Sequence, residues 1–127
     1  MTNLIEEATK ARENAVAPFS KFKVGAALET SDGKVYRGCN VENCTYGLTV
    51  CAERVALLSA LAAGERKFRA IAVVTQSEEP STPCGPCRQL MWEYCGDISV
   101  TLANLVGQKI DYQLSQLFPH PFYFCIE

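Results

Sequence analysis

Residues 51–63 read CAERVALLSALAA, residues 68–76 read FRAIAVVTQ, and residues 84–95 read CGPCRQLMWEYC. The first run reads as a helix from Cys51 to Ala63, with Gly64 placed to stop it. The second is a short apolar, β-rich run of the kind expected for a strand buried on both faces. The third opens a second helix near Cys84. A helix, a strand and a loop between Cys51 and Cys84 suffice for a crossover that brings two helix N-termini to one end of a sheet. That arrangement decides the fold class, which is α/β.

Outward from this unit, residues 3–15 predict a first helix, with Leu4, Ile5, Ala8 and Ala15 as its apolar stripe and Pro18 as its end. FKVGAALET (22–30) and KVYRGCNVE (34–42) flank Ser31-Asp32-Gly33, a hairpin signal with Asp-Gly at the turn. Gly38 and residues 40–49 read as a loop. Downstream, DISVTLAN (97–104) and KIDYQ (109–113) read as strands, followed by one helical turn at 114–117. The order α-β-β-α-β-α-β-β predicts one sheet with helices on its faces and a single domain over 1–127. A chain of 127 residues is long enough for a domain burying about two thirds of its unfolded surface.

Composition narrows the classes. Hydrophobic residues make up 48% and charged residues 20%, an ordinary globular balance. A net charge of −2 without a Lys/Arg cluster argues against a nucleic-acid partner. No apolar run approaches the ~20 residues of a membrane span, and MTNLIEEATKAREN lacks the apolar centre of a secretory signal. A cytoplasmic protein is expected. The seven cysteines are an odd count, which suits metal binding or catalysis better than a disulfide scaffold. Cys39, Cys95 and Cys125 read as small buried hydrophobes.

Cys84-Gly-Pro-Cys87 sets two thiols across the first turn of a helix, where orphan backbone N–H groups and the positive helix end favour thiolates. Taken alone it fits either a metal knuckle or a redox dithiol. Cys51-Ala52-Glu53 opens a helix in the same way and offers a third thiolate. Three protein ligands leave a fourth zinc position open for water, and Glu53 stands close enough to reach that water without being a ligand. A structural site would need a fourth ligand from Cys39, Cys44, Cys95 or His120. Cys95 lies about 12 Å along the helix from Cys87, and His120 sits between two prolines, so neither suits the role. Zinc with three thiolates carries one net negative charge. The two helix N-termini and Arg54, beside Glu53, are the groups expected to offset it.

FKVGAALET, CNVENCTYG, VCAERVALL and TPCGPCRQL, in this order and over about residues 18–118, resemble the cytidine deaminase family of the small homotetrameric class. The Cys-x-Glu and Pro-Cys-x-x-Cys elements are shared by zinc deaminases generally. The resemblance implies a three-layer α-β-α fold around a mixed five-stranded sheet. It also implies one zinc per chain on Cys51, Cys84 and Cys87, with Glu53 as proton shuttle. Asn40 and Glu42 match residues that bind ribose hydroxyls, Phe22 an aromatic packed on the pyrimidine, and Ala52 a backbone position that meets the base. Cys44 and Tyr46 align with loop residues placed at a neighbouring subunit's site, and Phe122 with a C-terminal aromatic that closes over a base. The implied function is hydrolytic deamination of cytidine and deoxycytidine to uridine and deoxyuridine, in pyrimidine salvage, by a homotetramer with shared active sites.

The alternatives are distinct. A deaminase of a blasticidin-type nucleoside antibiotic shares the zinc motifs but need not carry Asn40-Val41-Glu42. A polynucleotide base deaminase is disfavoured by the charge, and because Glu42 would repel a phosphate at the sugar. A zinc-stabilised interaction module would unfold without metal and catalyse nothing.

Overall fold

The computed structural model describes residues 3–78 and 83–122. Helix α1 (Leu4–Arg12) is capped by Asn3, whose side-chain oxygen accepts the Glu6 N–H at 3.2 Å. It is shorter than the predicted 3–15, and Pro18 does not end it. The chain is already extended at Val16, whose N–H donates to the Asn40 carbonyl at 2.9 Å and whose carbonyl accepts the Glu42 N–H at 2.8 Å. A tertiary backbone pairing therefore overrides the helical pattern of the last residues.

Strands β1 (Gly25–Thr30) and β2 (Val35–Cys39) form the expected hairpin, closed by the Thr30 N–H to the Lys34 carbonyl around Ser31, Asp32 and Gly33. Phe22 precedes β1 instead of starting it, and Gly38, predicted to lie in a loop, pairs with Ala26 inside the sheet. Next come α2 (Ala52–Ala62), β3 (Phe68–Thr75), α3 (Gly85–Cys95), β4 (Ser99–Asn104), β5 (Lys109–Gln113) and the single turn α4 (Leu114–Leu117). The sheet order is β2-β1-β3-β4-β5. β3 and β4 are parallel, with Val73 opposite Leu102, and the remaining pairs are antiparallel.

Alternation along the strands separates two cores. Ala26, Leu28, Ile71, Val73, Val100 and Leu102 pack under α2 and α3 with Ala56, Leu57 and Met91. Ala27, Ala72, Val74 and Ala103, on the other face, pack against α1 through Ala8. The result is three layers, with a mixed five-stranded sheet between helices. β3 is central and buried on both faces over most of its length, which explains its unbroken apolar sequence.

Two glycines set how closely the layers approach. A Cβ on Gly25 would lie 2.0 Å from the Ala8 carbonyl oxygen of α1. One on Gly38 would lie 2.3 Å from the Ala52 carbonyl oxygen and 2.4 Å from the Ala56 nitrogen. Only a residue without a side chain lets the N-terminal turns of α2 lie directly on β2. Among the described residues, no helix is long and apolar enough to cross a membrane.

Candidate metal and catalytic site

α2 and α3 begin beside each other, near the C-terminal end of β3. Cys51 and Cys84 occupy their N-cap positions in extended backbone conformation, and neither sulfur caps its own helix. Both thiols are therefore free to turn toward each other. The Cys51 and Cys84 sulfurs are 3.6 Å apart, Cys84 and Cys87 are 3.0 Å apart, and all three lie within 4.8 Å of one another.

Zinc–thiolate bonds of ~2.3 Å in a tetrahedron separate sulfurs by about 3.8 Å, so the cluster fits zinc with a small expansion. Among the described residues, Cys39, Cys44, Cys95 and His120 do not join the group. The donor set is three soft thiols, which suits a zinc site with one position left for a non-protein ligand. Cys39 and Cys95 are half-buried, Cys44 is exposed, and Cys125 lies outside the described residues.

Electrostatics within the cluster follow from crowding. The hydrogen bond from the Cys87 thiol, helped by Cys84 and the Arg54 charge, lowers Cys51 to about 6 in spite of its burial. Cys87 is pushed up, first by that same bond to Cys51 and then by burial. Glu53, the second residue of α2, is 5% exposed. Desolvation, with a smaller contribution from Cys51, raises its carboxyl to about 7.

Phe22, Asn40, Cys51, Ala52, Glu53 and Cys84 line one cavity of about 210 Å³. These residues come from four separate parts of the chain, and the structure brings them together around one space. Val73 and Thr75, at the end of β3, also line it and were not singled out from the sequence; inside an apolar strand they read as core. Asn40 is buried, and its amide is engaged locally: Nδ2 donates to the Phe22 carbonyl at 2.8 Å and Oδ1 accepts the Val24 N–H at 2.9 Å.

Glu42 lines the adjoining cleft, about 390 Å³, together with Tyr46, Phe19 and Ser20. Thr49 borders both spaces. The Glu42 carboxylate accepts the N–H groups of Phe19 and Ser20 at 3.0 and 3.1 Å and the Ser20 hydroxyl. The Ser20 hydroxyl is the leading cause that holds it below the ordinary carboxylate value.

Cys44, Tyr46 and Phe122 do not meet the cysteine cluster within the single chain. Tyr46 is 86% and Phe122 70% exposed. The Phe122 backbone is held from both sides by Gln89, its N–H by Oε1 and its carbonyl by Nε2, each at 3.0 Å. Arg88 donates to the carbonyls of Pro83 at 2.8 Å and Leu117 at 2.7 Å, fixing the entry to Cys84. Arg88 and Gln89 were missed because the Leu117 carbonyl and the Phe122 backbone that they hold lie 29 and 33 residues along the chain. The signal available was their place in the first turns after Cys87. Tyr123 and Phe124, grouped by sequence with Phe122 as an apolar tail, lie outside the described residues.

The family model described as cytidine and deoxycytidylate deaminase zinc-binding region matches residues 1–102. A cytidine deaminase of Halalkalibacterium halodurans is 52% identical over 120 residues, covering 94% of this chain and 91% of that protein. One from Sporosarcina psychrophila is 49% identical, covering 94% and 88%. The crystal structure of cytidine deaminase from Burkholderia pseudomallei superposes with a TM-score of 0.93 at 54% identity, covering 96% of this chain and all of that one. A blasticidin-S deaminase of Bacillus cereus is more distant, 32% identical over 79% of this chain and 76% of that protein.

Proposed function

The chain belongs to the cytidine and deoxycytidylate deaminase family, and from this we infer that it hydrolyses cytidine and deoxycytidine to uridine and deoxyuridine. The single observation that carries the reading is a buried carboxylate, Glu53, placed beside a three-thiol cluster on the wall of a small cavity. Cys51, Cys84 and Cys87 hold one zinc, which when bound supplies the Lewis acidity that makes water nucleophilic near neutral pH.

Glu53 takes the proton of the attacking water, delivers it to N3 of the cytosine ring and then carries a proton to the leaving amine. Oxygen from water becomes bonded to C4, the C4–N4 bond breaks, and ammonia departs. Protonation at N3 makes C4 more electrophilic, so one side chain serves both halves of the reaction. Arg54 offsets the negative charge of the thiolates. Support for this comes from the favourable influence of its guanidinium on the charged forms of both Cys51 and Glu53.

Phe22 packs on the pyrimidine, the Ala52 backbone at the helix start meets the base, and Asn40 and Glu42 bind the ribose hydroxyls. Asn40 retains one N–H and one lone pair after its two local hydrogen bonds, enough for one hydroxyl. The assembly is a homotetramer with shared active sites, in which Cys44, Tyr46 and Phe122 serve a neighbouring subunit. The exposure of Tyr46, beside the Glu42 cleft, and of Phe122 supports this reading. Pyrimidine salvage in the cytoplasm is consistent with a site that needs reduced thiols.

Ammonia release from cytidine, on protein of measured zinc content, tests the function. Deoxycytidine, CMP, blasticidin S and a cytosine-containing oligonucleotide run in parallel. The expected result is turnover of the two free nucleosides with about one zinc per chain, and none of CMP or the oligonucleotide. Zinc at that level with no turnover of either nucleoside would overturn the substrate while keeping the metal site.

A further inference from the structure

Residues 17–24 arch over residues 40–42 and are held to them from both sides. Asn40 grips the arch at Phe22 and Val24, and Glu42 grips it at Phe19 and Ser20. One atom links the two grips. The Ser20 hydroxyl donates to Glu42 Oε2, and Ser20 Oγ itself accepts the Phe22 N–H at 3.0 Å. Between Ser20 and Phe22, Lys21 adopts φ 62°, the left-handed region that a residue with a side chain enters at a cost. Its N–H donates to the Ala17 carbonyl at 3.0 Å, so the turn is held by its hydrogen bonds.

A carboxylate offers about four lone-pair positions. On Glu42 the donors just named fill both positions of Oε1 and one of Oε2. A single acceptor position remains, on the oxygen that Ser20 holds. Pinned through Oε1 alone, the carboxylate could rotate about that oxygen; the Ser20 hydroxyl is the second pin. We propose that Ser20 is a positioning residue that fixes the Glu42 carboxylate with one acceptor open for the sugar 3′-hydroxyl, and ties it to the backbone of Phe22 on the base side. The proposal rests on the reading of Glu42 given above. Ser20 acts only through Glu42 and Phe22, so its contribution belongs to binding and not to the chemical step.

Zinc-loaded wild type, Ser20→Ala, Ser20→Thr and Glu42→Ala are compared for kcat and KM on cytidine and on 2′,3′-dideoxycytidine, which lacks the 3′-hydroxyl. In Ser20→Ala the KM for cytidine rises about five- to tenfold, the scale of a weakened hydrogen bond to a charged group. Its kcat stays within about twofold, and the KM for the dideoxy substrate changes less than about twofold. Ser20→Thr, which keeps the hydroxyl at an exposed position, restores the cytidine KM. An unchanged cytidine KM in Ser20→Ala, an equal rise on both substrates, or no rescue by threonine overturns the proposal. Glu42→Ala separates the two layers of inference. If it still prefers cytidine as wild type does, the reading of Glu42 itself fails. If it loses that preference while Ser20→Ala keeps it, the role of Ser20 alone is overturned.

Discussion

Glu53 combines two properties that rarely coincide: it is almost fully buried, yet it stands at the first turn of a helix next to a cluster of thiols. Burial excludes competing water, and the position keeps the carboxylate within reach of the metal site without making it a ligand. Glu53→Ala is expected to retain about one zinc per chain while losing turnover by at least ~10²–10⁴-fold, the usual contribution of general acid–base catalysis. Metal analysis and initial rates on the same sample check this, and retained turnover would remove Glu53 from the mechanism. Arg54→Gln is expected to weaken zinc retention against a chelator and to lower activity. Wild-type behaviour in both across pH would assign the arginine to the surface. The placement of both residues beside Cys51 was legible from Cys51-Ala52-Glu53-Arg54, because a short spacing on one helix turn fixes relative position locally. The local engagement of Asn40 and Glu42 was not legible, since their partners at 19–24 are set by a fold-back that no local pattern records.

The positions of α2 and α3 are what turn three cysteines into a cluster. α2 rests on β2 through Gly38, where a methyl group would meet backbone atoms of Ala52 and Ala56 that have no rotamer to yield. Gly38→Ala is expected to destabilise the chain by about 1–3 kcal/mol, as overpacking of a tight contact does. It also shifts the turn that carries Cys51 and Glu53, so zinc retention and kcat fall together with the thermal midpoint. A variant with a lowered midpoint and wild-type kcat would show that the helix start moves independently of its body. Strand and helix identities followed from periodicity, with boundaries within a few residues for α2, β3, α3 and β4. The error at the end of α1 has a specific origin. The bridge of Val16 to Val41 is a tertiary pairing, and helix propensity in Glu13–Ala15 is too weak to resist it.

Across the whole molecule, large apolar side chains remain exposed on the loop beside the Glu42 cleft, with Tyr46 and Leu48 among them. Such exposure is costly for an isolated chain and is relieved by association. Light scattering at low protein concentration is expected to give four chains per particle, and Tyr46→Ala to lower activity and loosen the assembly together. A monomer with full activity would refute shared sites. By itself, the sequence determined the α/β class, the crossover joining two helix starts, the thiol set and the carboxylate placed beside it. These are recorded in periodicity and in spacings of two or three residues, and such information is local. Only the tertiary structure decided that the thiols converge with no fourth protein ligand among the described residues, and that Asn40 and Glu42 hold the 17–24 arch. It also decided that Gly38 belongs to the sheet. Each of these depends on contacts between segments far apart in the chain, formed when burial of the two cores brings the layers together.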